Sequence, residues 1–256
     1  MAKKKTLPKD FAQLCRRSGI TEFAALFADT DTNATERGSL KTPALSFAEL
    51  TIEQMRWLLE HGADTERCDH FGDTPLIAHA KHAASEQAHQ RLFDEEGLRF
   101  DAPPQQSLAK ITLLLDNGAD IHARNRADTT ALHAAAVHPQ AVRLLLARGA
   151  DIQARDWAGN TPLHQACFYP EALRVLLEHG AAPSLPNNAG DTPLEAALRQ
   201  TDYTNVAAIT PGAEILLAAG TTPDNKSREL VRRISENFAS HRTDPAAAPD
   251  IARNEA

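Results

Sequence analysis

Residues 156–182 read DWAGNTPLHQACFYPEALRVLLEHGAA, and this stretch contains the signals of two short helices joined by a tight turn. Thr161 supplies a hydroxyl that can cap a helix, and Pro162 follows at the first helical position, where a missing N–H costs nothing. The run ALRVLLEHG has leucines three and four residues apart, and it stops at Gly180, which tolerates left-handed backbone. The stretch therefore predicts a helix, a turn and a second, antiparallel helix, followed by a polar loop.

Two strings from this stretch recur along the chain. The first has the form LLxxG and begins at Leu58, Leu114, Leu145, Leu176 and, in a weaker copy, Leu216. The second has the form TPL or TAL and stands twelve residues after the glycine of the first, at Thr74, Thr130, Thr161 and Thr192. Self-similarity at a fixed period indicates stacked repeats, in which each unit buries its apolar face only against its neighbours.

These strings resemble the ankyrin repeat, whose pattern combines T-P-L-H-x-A with L-L-x-x-G-A-D and a D-x-x-G-x turn. The resemblance implies an all-α fold, a solenoid of about six helix-turn-helix units with projecting turns. We expect the units to span 10–36, 37–68, 69–124, 125–155, 156–186 and 187–223. The outer two units are atypical, as terminal repeats of a stack commonly are.

The third unit is longer than its neighbours. Thr74 and Gly118 are 44 residues apart, whereas the same distance is 19 residues in the next two units. We therefore expect a helical insertion at about 83–107. His79 occupies a position that the next three units give to alanine, and our hypothesis is that the insertion, packing back over the helix from about 92 to 104, accommodates its ring.

The two ends of the chain differ from the repeats. Residues 1–9 are basic and are expected to form an N-terminal tail. Residues 224–241 carry apolar side chains at helical spacing, which predicts a C-terminal helix that caps the open end of the last repeat. Residues 242–256 are rich in Ala and Pro and are expected to form a disordered tail.

Composition restricts the function further. The chain has 256 residues with 27 Lys and Arg against 34 Asp and Glu, a net charge of −7 that repels nucleic acid. Cys15, Cys68 and Cys167 are too far apart for a disulfide framework or a structural zinc site, which favours a reducing compartment. No apolar run is long enough to span a membrane. We expect a cytoplasmic, monomeric protein with neither nucleic acid nor membrane as a partner.

The sequence offers little that is typical of an enzyme. It contains no phosphate-binding loop, dinucleotide fingerprint, nucleophile elbow or H-E-x-x-H motif, so no catalytic residue, metal ligand or cofactor is assigned. One alternative stays open, a metal-dependent or small-molecule-dependent activity hosted by the insertion. Its candidate groups are His79, His82, His89, Asp94, Glu95 and Glu96, of which the first two share a helical face and suit one zinc ion.

The resemblance also implies roles for particular residues. His133 and His164, at the fourth position of T-P-L-H, are expected to link neighbouring loops by hydrogen bonds. In the ankyrin family the turns and the exposed end of the first helix line a concave face that contacts partners. Carried over to this sequence, the partner-binding residues are His70, Phe71, Asp73, Lys81, His82, Arg126, His138, Trp157, Asn160, Phe168, Tyr169, Asn188, Asp191 and Arg199.

These expectations favour a non-enzymatic scaffold that binds a protein partner through its concave face. Exposed aromatic residues such as Trp157 are typical anchors of protein interfaces. For Phe168 and Tyr169 there is an alternative, in which both rings fold over the short helix turn before Pro170. The net negative charge favours a partner with a basic patch. The roles of adaptor, inhibitor, immunity-type protein and delivered effector remain open.

Overall fold

The computed structural model describes residues 3–96, 106–200 and 206–222, together with Arg232, and for 86–96 and 206–208 it describes the backbone alone. Most of the described chain is helical, as expected for a stack of helical pairs. The predicted capping helix over 224–241, apart from Arg232, and the predicted tail over 242–256 lie outside the described residues.

The helices follow one another in pairs. They are α1 (Phe11–Arg17) and α2 (Ile20–Leu26), a 3-10 turn (Ala44–Ser46) and α3 (Ile52–Glu60), α4 (Pro75–Glu96) and α5 (Gln106–Asp116), α6 (Ala131–Ala134) and α7 (Pro139–Ala147), α8 (Pro162–Gln165) and α9 (Pro170–Glu178), and α10 (Pro193–Arg199) and α11 (Val206–Ala218). The first helices α4, α6, α8 and α10 contact one another in chain order, and so do the second helices α3, α5, α7, α9 and α11. The core lies between these two rows.

Local chemistry explains where the helices begin and end. Thr192 accepts a hydrogen bond from the Glu195 backbone N–H at 3.4 Å and so caps α10, with Pro193 next to it. At the other end of a pair, Gly180 follows α9 with a φ of +88°, a conformation that side chains disfavour. The predicted helix signals are therefore confirmed at these positions.

The N-terminus differs from the predicted basic tail over 1–9 and from an all-α fold. Strand β1 (Lys4–Thr6) runs parallel to β2 (Thr30–Thr35), and the Leu7 backbone N–H donates to the Thr35 carbonyl at 2.9 Å. Leu7 is only 1% exposed and belongs to the core. The tail prediction is therefore wrong over 4–7, because burial of one leucine and pairing of a short strand hold this segment against the first helical pair.

The first helix of the third pair is much longer than its counterparts. Helix α4 has 22 residues, whereas α6 and α8 have four each. Within α4, His79 is fully buried, and its ring Nε2 donates to the Leu45 carbonyl at 3.0 Å. Leu45 lies in the 3-10 turn of the preceding pair, so the preceding pair contributes to accommodating this ring. Our hypothesis also has residues 92–104 packing over His79, but their side chains are not among those that the structure describes.

Neighbouring turns approach most closely at Gly159. A Cβ added there would lie 2.7 Å from the Asn188 backbone nitrogen, and its φ is +77°. Gly190 has a similar φ of +84° but open space around its Cα. We expect Gly159→Ala to lower the free energy of unfolding by about 3 kcal/mol and Gly190→Ala by about 1 kcal/mol, because both bear the backbone penalty and only the first forces two turns apart.

Chemical denaturation of the two variants and the wild-type protein measures this difference. Equal losses in the two variants would contradict the close approach of the turns.

Candidate functional site

The projecting turns between helical pairs share one internal construction. Each begins with an Asp or Asn whose Oδ1 accepts two backbone N–H groups further along the turn. For Asp156 these are the amides of Ala158 at 2.9 Å and Asn160 at 2.8 Å. The corresponding residues that open the other turns are Asp69, Asn125 and Asn187. These side chains act as local substitutes for backbone partners, so each turn has one defined shape.

A second set of hydrogen bonds joins each turn to the next. The Arg126 N–H donates to the Phe71 carbonyl, the Trp157 N–H to the Ala127 carbonyl, and both distances are 3.0 Å. The Asn188 N–H continues the series to the Ala158 carbonyl at 3.0 Å. The His70 N–H likewise donates to the Leu40 carbonyl at 2.7 Å. We call these four hydrogen bonds the turn ladder. It fixes the spacing of the turns and therefore of the side chains at their tips.

The histidines at the fourth position of the T-P-L-H strings form further hydrogen bonds to the turns. The ring Nε2 of His133 donates to the Asn160 carbonyl at 3.0 Å, and that of His164 to the Asp191 carbonyl at 3.2 Å. Nδ1 of His164 accepts the Thr161 backbone N–H at 3.0 Å. Burial lowers the pKa of both rings, which keeps them neutral in the tautomer that these bonds need. The predicted loop-linking role of the two histidines is therefore confirmed.

The large apolar side chains that stand most exposed in the described part of the chain all lie on the turns. Trp157 is 70% exposed, Phe71 53% and Leu40 44%. The sequence predicted the exposure of Trp157 and Phe71 but did not single out Leu40. Leu40 lies in the stretch RGSLKT, which lacks the usual turn motif, and only the bond from His70 identifies it as part of the same series.

Two acid–base pairs flank the middle of this surface. Lys81 pairs with Asp73, and Arg199 pairs with Asp191 at 2.7 Å. Both carboxylates are buried, whereas both cations remain partly exposed. Asp73 and Asp191 were expected to contact a partner directly, and their burial corrects that expectation. They hold the cations in place, and the cations are the groups that a partner can reach.

His138 was also expected on the surface, and the structure corrects this too. It is only 2% exposed, and its Nδ1 accepts the Ala141 backbone N–H at 3.2 Å, which caps α7. The reason is the shortness of α6, which brings residue 138 to the start of the second helix. Its counterpart Tyr169 precedes α9 in the same way and is half-buried. Phe168 packs against the core, which fits the alternative in which its ring folds over the turn.

The remaining predicted residues vary in exposure. Four of them are exposed, namely His70, Lys81, Arg126 and Asn188. Asn160 is half-buried. His82 is half-buried and lies edge-on to His79, with the ring centroids 5.5 Å apart.

Of the groups of the alternative metal hypothesis, only His79 and His82 have side chains that the structure describes. Nε2 of His79 is already bonded to Leu45, and the side chains of His89 and of 94–96 are not among those described. Among the described side chains, no three His, Cys, Asp or Glu residues are arranged to hold a metal ion. A groove of about 200 Å³ lies between α7 and α9, which is smaller than the pockets of about 300–1,000 Å³ that hold small molecules.

No helix in the described part of the chain is both long enough and apolar enough to cross a bilayer.

Residues 102–187 match the family model for ankyrin repeats, in three copies. No curated protein is significantly similar to the chain in sequence. The matched residues contain α5 to α9 and the turns that begin at Asn125 and Asp156, so the match falls on the part of the chain where the turn ladder is most regular. Residues 102–187 therefore consist of ankyrin repeats. Ankyrin repeats generally mediate protein–protein interaction.

The buried His79 predicts a pH dependence of stability. Burial, with smaller contributions from His82 and Lys110, lowers its pKa from 6.5 to about 3. Between these values the unfolded chain binds a proton that the folded chain does not, so stability falls as pH falls below 6.5. The loss is about 1.4 kcal/mol per pH unit. We expect His79→Leu to remove this contribution, and urea denaturation from pH 7.5 to 4 measures it.

The curves of the two proteins should run parallel above pH 7, where the ring is neutral in both states. An equal slope below pH 6 in wild-type protein and His79→Leu would contradict the assignment.

Proposed function

We propose that the chain is a non-enzymatic scaffold that binds a protein partner across the face formed by the turns and the ends of the first helices. The observation that carries the proposal is the turn ladder, because it displays Phe71, Arg126 and Trp157 at fixed spacing on one continuous surface. A preorganised surface loses little conformational freedom on binding, so a few exposed anchors suffice for affinity.

The proposal includes six repeat units, of which the outer two are atypical. The helical pairs support this count, because each pair in the described chain contacts the next. The unit over 37–68 replaces its first helix with a 3-10 turn. The unit over 10–36 ends in β2, which pairs with β1. Stacked repeats present an extended concave surface, which suits a protein partner better than a small molecule.

The surface has two chemical zones. The acid–base pairs present Lys81 and Arg199 on either side of its middle, and between them the corresponding positions are Val137 and Phe168, both half-buried. A mainly apolar centre with a charged rim is typical of protein interfaces. The net charge of −7 favours a partner with a basic patch, because it attracts positive charge over longer distances. Adaptor, inhibitor, immunity-type protein and delivered effector all fit this description.

Truncation of the exposed indole tests the proposal. We expect Trp157→Ala to weaken partner binding by about 2 kcal/mol or more and to change the free energy of unfolding by less than about 0.5 kcal/mol, because the ring is 70% exposed. Affinity capture from lysate of the source cells, quantified by mass spectrometry, compares this variant with the wild type. Glu178→Ala, an exposed change on α9 away from the turns, is the matched control.

Capture of the same proteins in equal amounts by the wild type and Trp157→Ala would contradict the proposal. A large loss of stability in Trp157→Ala would contradict the exposed position of the ring.

A further inference from the structure

Four exposed side chains on consecutive, hydrogen-bonded turns are not explained by the general binding proposal. They are Leu40, Phe71, Arg126 and Trp157, and we call them the tip row. Leu40, Phe71 and Trp157 are the most exposed large apolar residues in the described part of the chain. Arg126 is exposed as well and lies between the two aromatic residues along the turn ladder. An apolar row interrupted by one cation is an unusual surface to leave in water.

The turn ladder limits the length of this row. Phe71 and Arg126 are joined by one backbone hydrogen bond, and so are Ala127 and Trp157. Each such bond separates Cα atoms by about 5 Å, and adjacent residues are about 3.8 Å apart, so the Cα atoms of Phe71 and Trp157 are at most about 14 Å apart. An extended chain rises about 3.3 Å per residue, so about five residues of a partner cover this distance.

Arg126 differs from the other arginines of the turns. The guanidinium of Arg124 donates to the Arg155 carbonyl at 2.6 Å, and that of Arg155 to the Gly159 carbonyl at 3.3 Å. Arg126 makes no side-chain hydrogen bond and no ion pair within the described residues. Its charge is therefore unused by the fold and is available to a partner.

The row ends at the next turn. The side chain of Asn188 donates to the Trp157 carbonyl at 3.1 Å, so it is held by its neighbour and does not extend the row. In chain order, the tip row therefore consists of Leu40 and Phe71, then the Arg126 guanidinium, and last the Trp157 indole.

We propose that the tip row binds an extended segment of the partner protein in which one carboxylate is flanked on both sides by apolar side chains. The carboxylate pairs with the Arg126 guanidinium, and the apolar side chains cover Phe71 and Trp157. This inference rests on the proposed function and adds the chemistry of the recognised segment. It concerns a local contact, so it is compatible with a partner whose overall charge is positive.

Selection of random heptapeptides displayed on phage, with the immobilised full chain as target, tests this inference. We expect enriched peptides to carry Asp or Glu with apolar residues two or three positions away on each side. One enriched peptide, synthesised, should bind Arg126→Glu at least about tenfold more weakly than the wild type, and Phe71→Ser and Trp157→Ser more weakly too. Selection on Arg126→Glu should exchange the acidic residue for Lys or Arg.

The matched control is Arg56→Glu, which reverses an exposed charge on α3 and should leave binding of that peptide unchanged. Circular dichroism establishes whether each variant is folded. If Arg126→Glu does not fold, Arg126→Ala takes its place. Peptides without an acidic residue, or peptides that bind Arg126→Glu as well as the wild type, would overturn the inference.

Two further outcomes separate this inference from the proposed function. Peptides that depend on Phe168 and Lys81, but not on Arg126 or Trp157, would overturn the role of the tip row while supporting the broader face. A lack of any enriched peptide would overturn the recognition of an extended segment, whereas the capture experiment on whole proteins still decides the proposed function.

Discussion

The backbone hydrogen bond between neighbouring turns is the constraint on which the rest of the structure depends. A projecting turn has no core of its own, so its amides need partners elsewhere. Here Arg126, Trp157 and Asn188 each donate an amide to the preceding turn, while His133 and His164 each reach a carbonyl of the following one. The positions of the turns at Arg126 and Trp157 are therefore set by the turns on both sides. A surface built in this way is rigid although it consists of loops.

Much of the fold was predictable because its signals are local and repeat. The cap at Thr192 and the glycine that ends α9 depend on residues a few positions away, and the same chemistry recurs in several pairs. Strand β1 was not predictable in the same way. Its three residues show no alternation of apolar and polar side chains, and the strand that it pairs with begins at Thr30. Only the tertiary structure joins these two segments.

The candidate surface was predictable in part. Trp157 and Phe71 were predicted from their positions in the repeat pattern, and both rings are exposed. It did not distinguish a residue that reaches solvent from one that supports the fold, and Asp73 and His138 proved to be buried. Their burial depends on particular neighbours, Lys81 in the helix that directly follows Asp73 and the shortness of α6 before His138. The family pattern used for the prediction does not specify either neighbour. Whether the exposed residues bind a partner remains a prediction.

The junction between the second and third pairs differs from the others in its chemistry. His79 is buried where the later pairs have alanine, and neither its Nδ1 nor Ser46 Oγ has a hydrogen-bond partner in the described residues. Buried polar atoms of this kind cost stability, whereas the junctions among α6 to α10 are linked by satisfied histidines. The stack is therefore not uniform, and its most regular part is the one that matches the ankyrin-repeat family.

Native-state hydrogen exchange, followed by NMR, tests the central claim most directly. If the turns are held by one another, the amides of Arg126, Trp157 and Asn188 should exchange as slowly as those of α7 and α9, since they open only when neighbouring pairs separate. Exchange of these three amides at the rate of an unstructured chain, with α7 and α9 still protected, would mean that the turns move independently and would contradict the account.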